Sequence, residues 1–122
     1  VEGQAEHRPW VVIRREDGVL LGAIGADVEG PRVNVGYVLA RAHWGQGYMS
    51  EALIAVRDAA FADRTVHRVQ AFHHVDNSAS GRVMDNAGMR REGTLRRYMG
   101  HPQQPEEASD VVMWAIARGD LA

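Results

Sequence analysis

The chain has 122 residues, of which 45% are hydrophobic and 25% charged, which is enough for one soluble globular domain (residues 1–122) and too little for two. A formal net charge of −2 lacks the basic footprint of general nucleic-acid binding, and the absence of cysteine excludes disulfides and thiolate chemistry. No apolar run approaches the ~20 residues of a membrane helix, and the polar stretch from Val1 to Pro9 carries no secretory signal, so a cytoplasmic protein with no membrane contact is the expectation.

Trp10 to Glu16 is apolar and β-branched, and Asp17-Gly18 then supplies a turn into a second strand, Val19 to Val28. Glu29-Gly30-Pro31 breaks the chain before a third strand, Arg32 to Ala40, and the three form an antiparallel meander. From Tyr48 to Ala62 the period becomes helical, with Met49, Leu53, Val56 and Ala60 on one stripe and Ile54 and Phe61 widening it. His67 to Val75 reads as a strand, and the helix before it allows it to run parallel to the third. Asp76-Asn77-Ser78 opens a second helix, Ala79 to Ala87, which Gly88 stops. Met89 to Met99 forms a strand weakened by Gly93, His101 to Ser109 a polar loop, and Asp110 to Ala117 the last strand. The order β-β-β-α-β-α-β-β predicts an α/β domain with a mixed, mostly antiparallel sheet.

Two glycines, Gly45 and Gly47, stand between the third strand and the first helix. Either they only make a tight turn, or they bare N–H groups at a positive helix end to an anion such as a phosphate. Met49 and Ser50 lie in the first turn and can add their N–H groups. The pattern is not a dinucleotide fingerprint, because Ser50 occupies the third glycine's place, and it is not a P-loop, because the chain has no lysine. The second helix also starts on polar residues. Asn77 or Ser78 caps it, and the Ser80 hydroxyl can donate or accept a proton. Two helix starts opening at one end of a sheet mark the usual ligand position in such folds.

The stretch from Gly36 to Ala52, GYVLARAHWGQGYMSEA, resembles the acetyl-CoA motif of the GNAT acetyltransferases, in the W-G-x-G-Y-x-x-E-A form of their RimJ/RimL-like branch. Asn77-x-x-Ser80 with Val83 and Ala87-Gly88-Met89, then Glu92-Gly93-Thr94-Leu95-Arg96 and Asp110-Val111-Val112, follow in that family's order. The resemblance implies a V-shaped splay between the third strand and the His67–Val75 strand, flanked by helices. Acetyl-CoA lies in the splay, its pantetheine paired to the backbone of Val38, Leu39 and Ala40. Its pyrophosphate rests on the N–H groups of Gly45, Gln46, Gly47, Tyr48, Met49 and Ser50, beside Trp44. Asn77 anchors the pantetheine or the turn. Ser80 is the candidate proton donor to the leaving thiolate, with simple helix capping as its alternative. The implied function is transfer of acetyl from acetyl-CoA to a primary amine (a protein N-terminus or a small molecule), with no metal. The alternative is a non-catalytic acyl-CoA-binding module.

Three features depart from the family pattern. Met49 is bulkier than usual, Arg97 and Tyr98 stand where many relatives carry a glutamate, and a strand and two helices that usually precede Trp10 have no counterpart. No general base is evident: His73 and His74 alternate to opposite faces and read as solvated surface residues, Tyr98 is a candidate for the acceptor side, and His43 shields the loop. An uncovered first strand leads to the expectation of a homodimer over that edge, or of a fragment of a longer chain.

Overall fold

The structure, a computed structural model, describes residues 6–100 and 103–121. Six strands form one sheet: β1 (Glu6–Ile13), β2 (Leu20–Glu29), β3 (Arg32–Leu39), β4 (Arg68–His74), β5 (Arg90–Gly100) and β6 (Ala108–Ala117), in the spatial order β1-β2-β3-β4-β6-β5. Two helices, α1 (Tyr48–Ala62) and α2 (Ser78–Asn86), contribute Met49, Leu53, Val56 and Met84 to one core with Val33, Val69 and Ile116, so both pack on the same sheet face. The expected α/β sheet, its antiparallel meander and its parallel β3–β4 pair are all present.

The splay is visible in the register. β3 and β4 pair only at Arg32↔Arg68, Val33↔Val69 and Asn34↔Gln70, and then diverge, although β3 continues to Leu39 and β4 to His74. Side chains lock the closed end. Gln70 Nε2 donates to Asn34 Oδ1, Arg68 Nε donates to Gln70 Oε1, and Arg68 holds both carboxylate oxygens of Glu92. The Pro31 carbonyl accepts from both His67 N and Arg68 N, at 2.7 and 3.2 Å, which anchors the start of β4 beside β3.

Helix ends are closed by residues distant in sequence. The Arg118 guanidinium donates to the carbonyls of Phe61 and Asp63 at 3.0 and 2.8 Å and to Val66 at 2.9 Å, satisfying the C-terminus of α1. Arg57 of α1 donates to the Ala87 carbonyl at 2.8 Å at the end of α2. A cation at a helix C-terminus also meets its negative end.

Some boundaries differ from the expectation. The first strand runs Glu6–Ile13 rather than from Trp10 to Glu16, because β2 offers partners as far as Glu6↔Val28. At its other end Arg14 turns away, its guanidinium on Asp17 and its N–H on the Val19 carbonyl. Pro9 is tolerated because β1 is an edge strand. β5 is irregular: its register against β6 shifts between Arg91 and Gly93 and again between Leu95 and Met99, with Arg97 in the left-handed region at φ 53°. Asp110 Oδ1 accepts the Arg97 N–H at 2.8 Å and fixes that kink. The last strand starts at Ala108, earlier than Asp110; of the expected loop, His101 and Pro102 lie outside the described residues. No helix among the described residues is long and apolar enough to cross a membrane.

Candidate active site

At the mouth of the splay the chain leaves β3, makes one 3-10 turn over Arg41–His43, and enters α1 through Gly45 and Gly47. These glycines have φ of 76° and 80°, a conformation that side chains other than glycine rarely adopt. A Cβ on either would meet no atom within 4 Å, so the backbone path, not crowding, requires glycine. Gly47 is the N-cap of α1 and supplies no side-chain cap. The first N–H to find a backbone acceptor is that of Glu51, on the Gly47 carbonyl at 3.0 Å. The N–H groups from Gly45 to Ser50 therefore meet no acceptor among the described residues. An uncapped row of donors at the positive end of a helix of 15 residues suits an anion.

α2 is built differently. Asn77 Oδ1 accepts the Ser80 N–H at 3.2 Å, so Asn77 is its side-chain cap. The Ser80 hydroxyl makes no hydrogen bond among the described residues, and Ser80 lines a cleft of about 580 Å³ between β3, α1 and α2. That volume lies within the usual range for small-molecule sites.

The cleft brings together Val38, Leu39, Trp44, Gly45, Gly47, Tyr48, Met49, Ser50, Asn77 and Ser80. Ala40 and Gln46 are not on its wall; the Gln46 amide turns back to the Ala42 carbonyl at 3.4 Å. Met49 is 1% exposed, so its side chain belongs to the core and its bulk leaves the cleft open. The Ser50 hydroxyl also turns inward, donating to the Val83 carbonyl at 3.3 Å. The Trp44 indole donates to the Leu39 carbonyl at 2.8 Å, with the Arg41 guanidinium 5.3 Å above its ring, and this ties the turn back to β3. His43 lines the cleft and meets the edge of the Tyr48 ring, centroids 6.3 Å apart.

The free edge of β3 is not the one expected. Ala40 directs its N–H to β2, onto the Leu21 carbonyl at 3.0 Å. Strand alternation turns the Val38 backbone the same way and leaves Tyr37 and Leu39 directed into the splay. The backbone edge directed at a ligand is thus that of Tyr37 and Leu39, not Val38 and Ala40, with the Leu39 carbonyl already accepting from the Trp44 indole.

The histidines also differ from the solvated pair expected. His73 is buried, with Nδ1 on the His74 carbonyl at 2.8 Å and Nε2 accepting from Trp114 Nε1 at 3.0 Å. His74 does lie on the opposite, exposed face, where its Nδ1 accepts the Asp76 N–H at 3.2 Å. Neither ring reaches the cleft. Tyr98 is exposed and packs edge-on against Phe72, outside the cleft.

The sequence reading missed Tyr37, Arg82 and Asn86, all on the cleft wall. Alternation along β3 would have found the first, and the spacing of four on α2 the other two. Tyr37 donates its hydroxyl to the Ser80 carbonyl at 3.3 Å. Burial pushes its phenol above the ordinary tyrosine range, an effect the Ser80 hydrogen bond partly offsets. Arg82 makes no ion pair among the described residues.

Residues 2–90 match the family model of the acetyltransferase (GNAT) domain. The chain is 30% identical over 125 aligned positions to the uncharacterised N-acetyltransferase p20 of Bacillus licheniformis, covering 100% of this chain and 67% of that protein. It is 33% identical over 93 positions to the uncharacterised N-acetyltransferase YoaA of Bacillus subtilis, covering 74% of this chain and 52% of the relative. Among solved structures, a GNAT-family acetyltransferase from Bacillus anthracis superposes with a TM-score of 0.78 at 29% identity, over 89% of this chain and 65% of that one. The chain thus spans between about half and two thirds of the proteins it resembles.

Proposed function

Because this chain belongs to the GNAT family of acetyltransferases, we propose that its cleft holds acetyl-CoA and passes the acetyl group to a primary amine by direct attack. The observation that carries this reading is the uncapped row of N–H groups from Gly45 to Ser50 at the start of α1. These donors receive the pyrophosphate, and Arg82 on the facing helix adds a positive charge to the same cleft. The pantetheine lies along the open edge of β3 against the Tyr37 and Leu39 backbone. The W-G-x-G-Y turn supports reading the chain as a member of the RimJ/RimL-like branch.

Acetyl-CoA supplies an activated thioester. The amine forms the new C–N bond as the C–S bond breaks, and the sulfur leaves as a thiolate. The unpartnered Ser80 hydroxyl gives it a proton. Asn77 holds the Ser80 peptide in place. With His73 and His74 engaged away from the cleft, the proton released by the amine passes to water, and a proton from water restores the Ser80 hydroxyl. The pH profile of kcat/KM is therefore expected to follow the acceptor's own amine and to move when the acceptor is changed. A profile that stays fixed across acceptors of different basicity points instead to a base on the protein.

The acceptor is a protein N-terminal amine or a small amine such as an amino acid or aminoglycoside, and the protein acts in the cytoplasm. The edge of β1, with Trp10, Val11 and Ile13 exposed among the described residues, pairs with a second copy or with a further segment of a longer chain. Light scattering that shows a monomer at high micromolar concentration contradicts the pairing with a second copy. The function itself is tested by titrating acetyl-CoA and then following thiol release over a panel of amines. Binding followed by amine-dependent release is expected. Binding with no release from any amine identifies a binding module instead, and no binding overturns the reading altogether.

A further inference from the structure

We infer that Tyr37 is a positioning residue for acetyl transfer: its phenol bridges the two arms of the splay and fixes the peptide of Ser80. This rests on the role given above to Ser80. Past Asn34↔Gln70 no sheet pairing joins β3 to β4, so core packing, the Arg57 bond to the Ala87 carbonyl and two hydroxyl contacts set the distance from the β3–α1 half to α2. Two hydroxyls span that gap. Tyr37 donates to the Ser80 carbonyl and Ser50 donates to the Val83 carbonyl, each at 3.3 Å. Residues 80 and 83 are one helical turn apart, and both line the cleft.

Ser80 is consequently held at both ends of its backbone. Asn77 takes its N–H and Tyr37 engages its carbonyl, while its hydroxyl is left without a partner among the described residues. Helix capping requires only the first of these contacts. The Ser80 carbonyl is also the helical acceptor for the Met84 N–H, so the phenol is a second bond on a group whose own requirement is already met. Its contribution lies in fixing where the helix start stands relative to β3. Burial keeps the phenol protonated and able to donate. The Tyr37 ring packs against the core independently of the hydroxyl, so Tyr37→Phe removes the bridge and keeps the packing.

The experiment compares Tyr37→Phe, Ser80→Ala and the double variant with the parent protein, by steady-state kinetics, acetyl-CoA calorimetry and amide hydrogen exchange. Tyr37→Phe is expected to lower kcat about tenfold, as a small misplacement of a reacting group does, with acetyl-CoA affinity and melting temperature nearly unchanged. The Met84 amide is expected to exchange faster in Tyr37→Phe than in the parent. In the Ser80→Ala background the Tyr37 change is expected to add nothing, because both act through one group. An impaired Ser80→Ala beside a fully active Tyr37→Phe overturns this inference alone. Losses that multiply in the double variant, or an unchanged Met84 amide, also overturn it. A fully active Ser80→Ala removes the proton-donor role itself, and the positioning role with it.

Discussion

Gly47 holds a φ of 80°, and a β-branched residue there carries strain of about 1–3 kcal/mol. Gly47→Val therefore confuses lost stability with lost binding. Asparagine visits this region more readily, and its side chain meets open space, so Gly47→Asn is the cleaner probe. Its melting temperature is expected near that of the parent and its affinity for acetyl-CoA well below it, read by calorimetry. Equal affinity in the folded variant leaves the glycines as turn residues only. Asn77 and Ser80 separate by the same logic. Asn77→Ala removes a cap and is expected to cost about 1 kcal/mol in denaturant unfolding. Ser80→Ala is expected to leave stability unchanged and to lower turnover by about 10². At this scale the sequence was informative where a residue type is demanded by backbone geometry, as at Gly45, Gly47 and Asn77. It was silent on side-chain partners. Nothing in the letters placed the Ser50 hydroxyl on Val83, drew His73 beneath Trp114, or turned the Val38 backbone away from the cleft.

Each element closes through contacts supplied by distant segments. The Arg118 guanidinium binds three carbonyls around the end of α1, and its loss in Arg118→Ala is expected to cost about 1.5–3 kcal/mol, since bonds from a charged donor are the stronger ones. Arg118→Lys, with one ammonium in place of a fork, recovers only part of that. The Arg68–Glu92 pair joins β4 to β5 on the sheet. The Arg68 hydrogen bonds hold the Glu92 carboxyl below the usual glutamate range, against a smaller opposing desolvation. A carboxyl lowered in the folded state contributes stability at neutral pH that is lost as pH falls from about 4.3 through its folded value. Glu92→Gln is expected to flatten that part of the acid unfolding curve, and an unchanged acid limb contradicts the assignment. Both side chains are partly solvated, so the effect is small. The elements themselves were legible because periodicity changes sharply at Tyr48 and again at His67. Boundaries moved where pairing, which is not local, decided them. β2 extends β1 upstream to Glu6, and β6 accepts a kinked β5 that its own pattern, broken by Gly93, described only as weak.

Over the whole molecule, the fold places an unpaired gap in the middle of a continuous sheet and sets two helix starts beside it. The closed end of the gap is locked by Asn34, Gln70, Arg68 and Glu92, and the open end by the Tyr37 and Ser50 hydroxyls, which donate to carbonyls of α2. The ordered motifs made this architecture legible before the structure, but the wall facing the acceptor is not specified by them. The central claim is that the start of α1 receives the cofactor's pyrophosphate. It is tested most directly by calorimetric titration of the protein with acetyl-CoA and, separately, with acetyl-pantetheine, which has the thioester arm and no phosphates. Tight binding of acetyl-CoA is expected, with acetyl-pantetheine weaker by at least about tenfold, as the loss of charge-assisted bonds to the helix end requires. Equal affinities for the two, or no binding of acetyl-CoA, would contradict it.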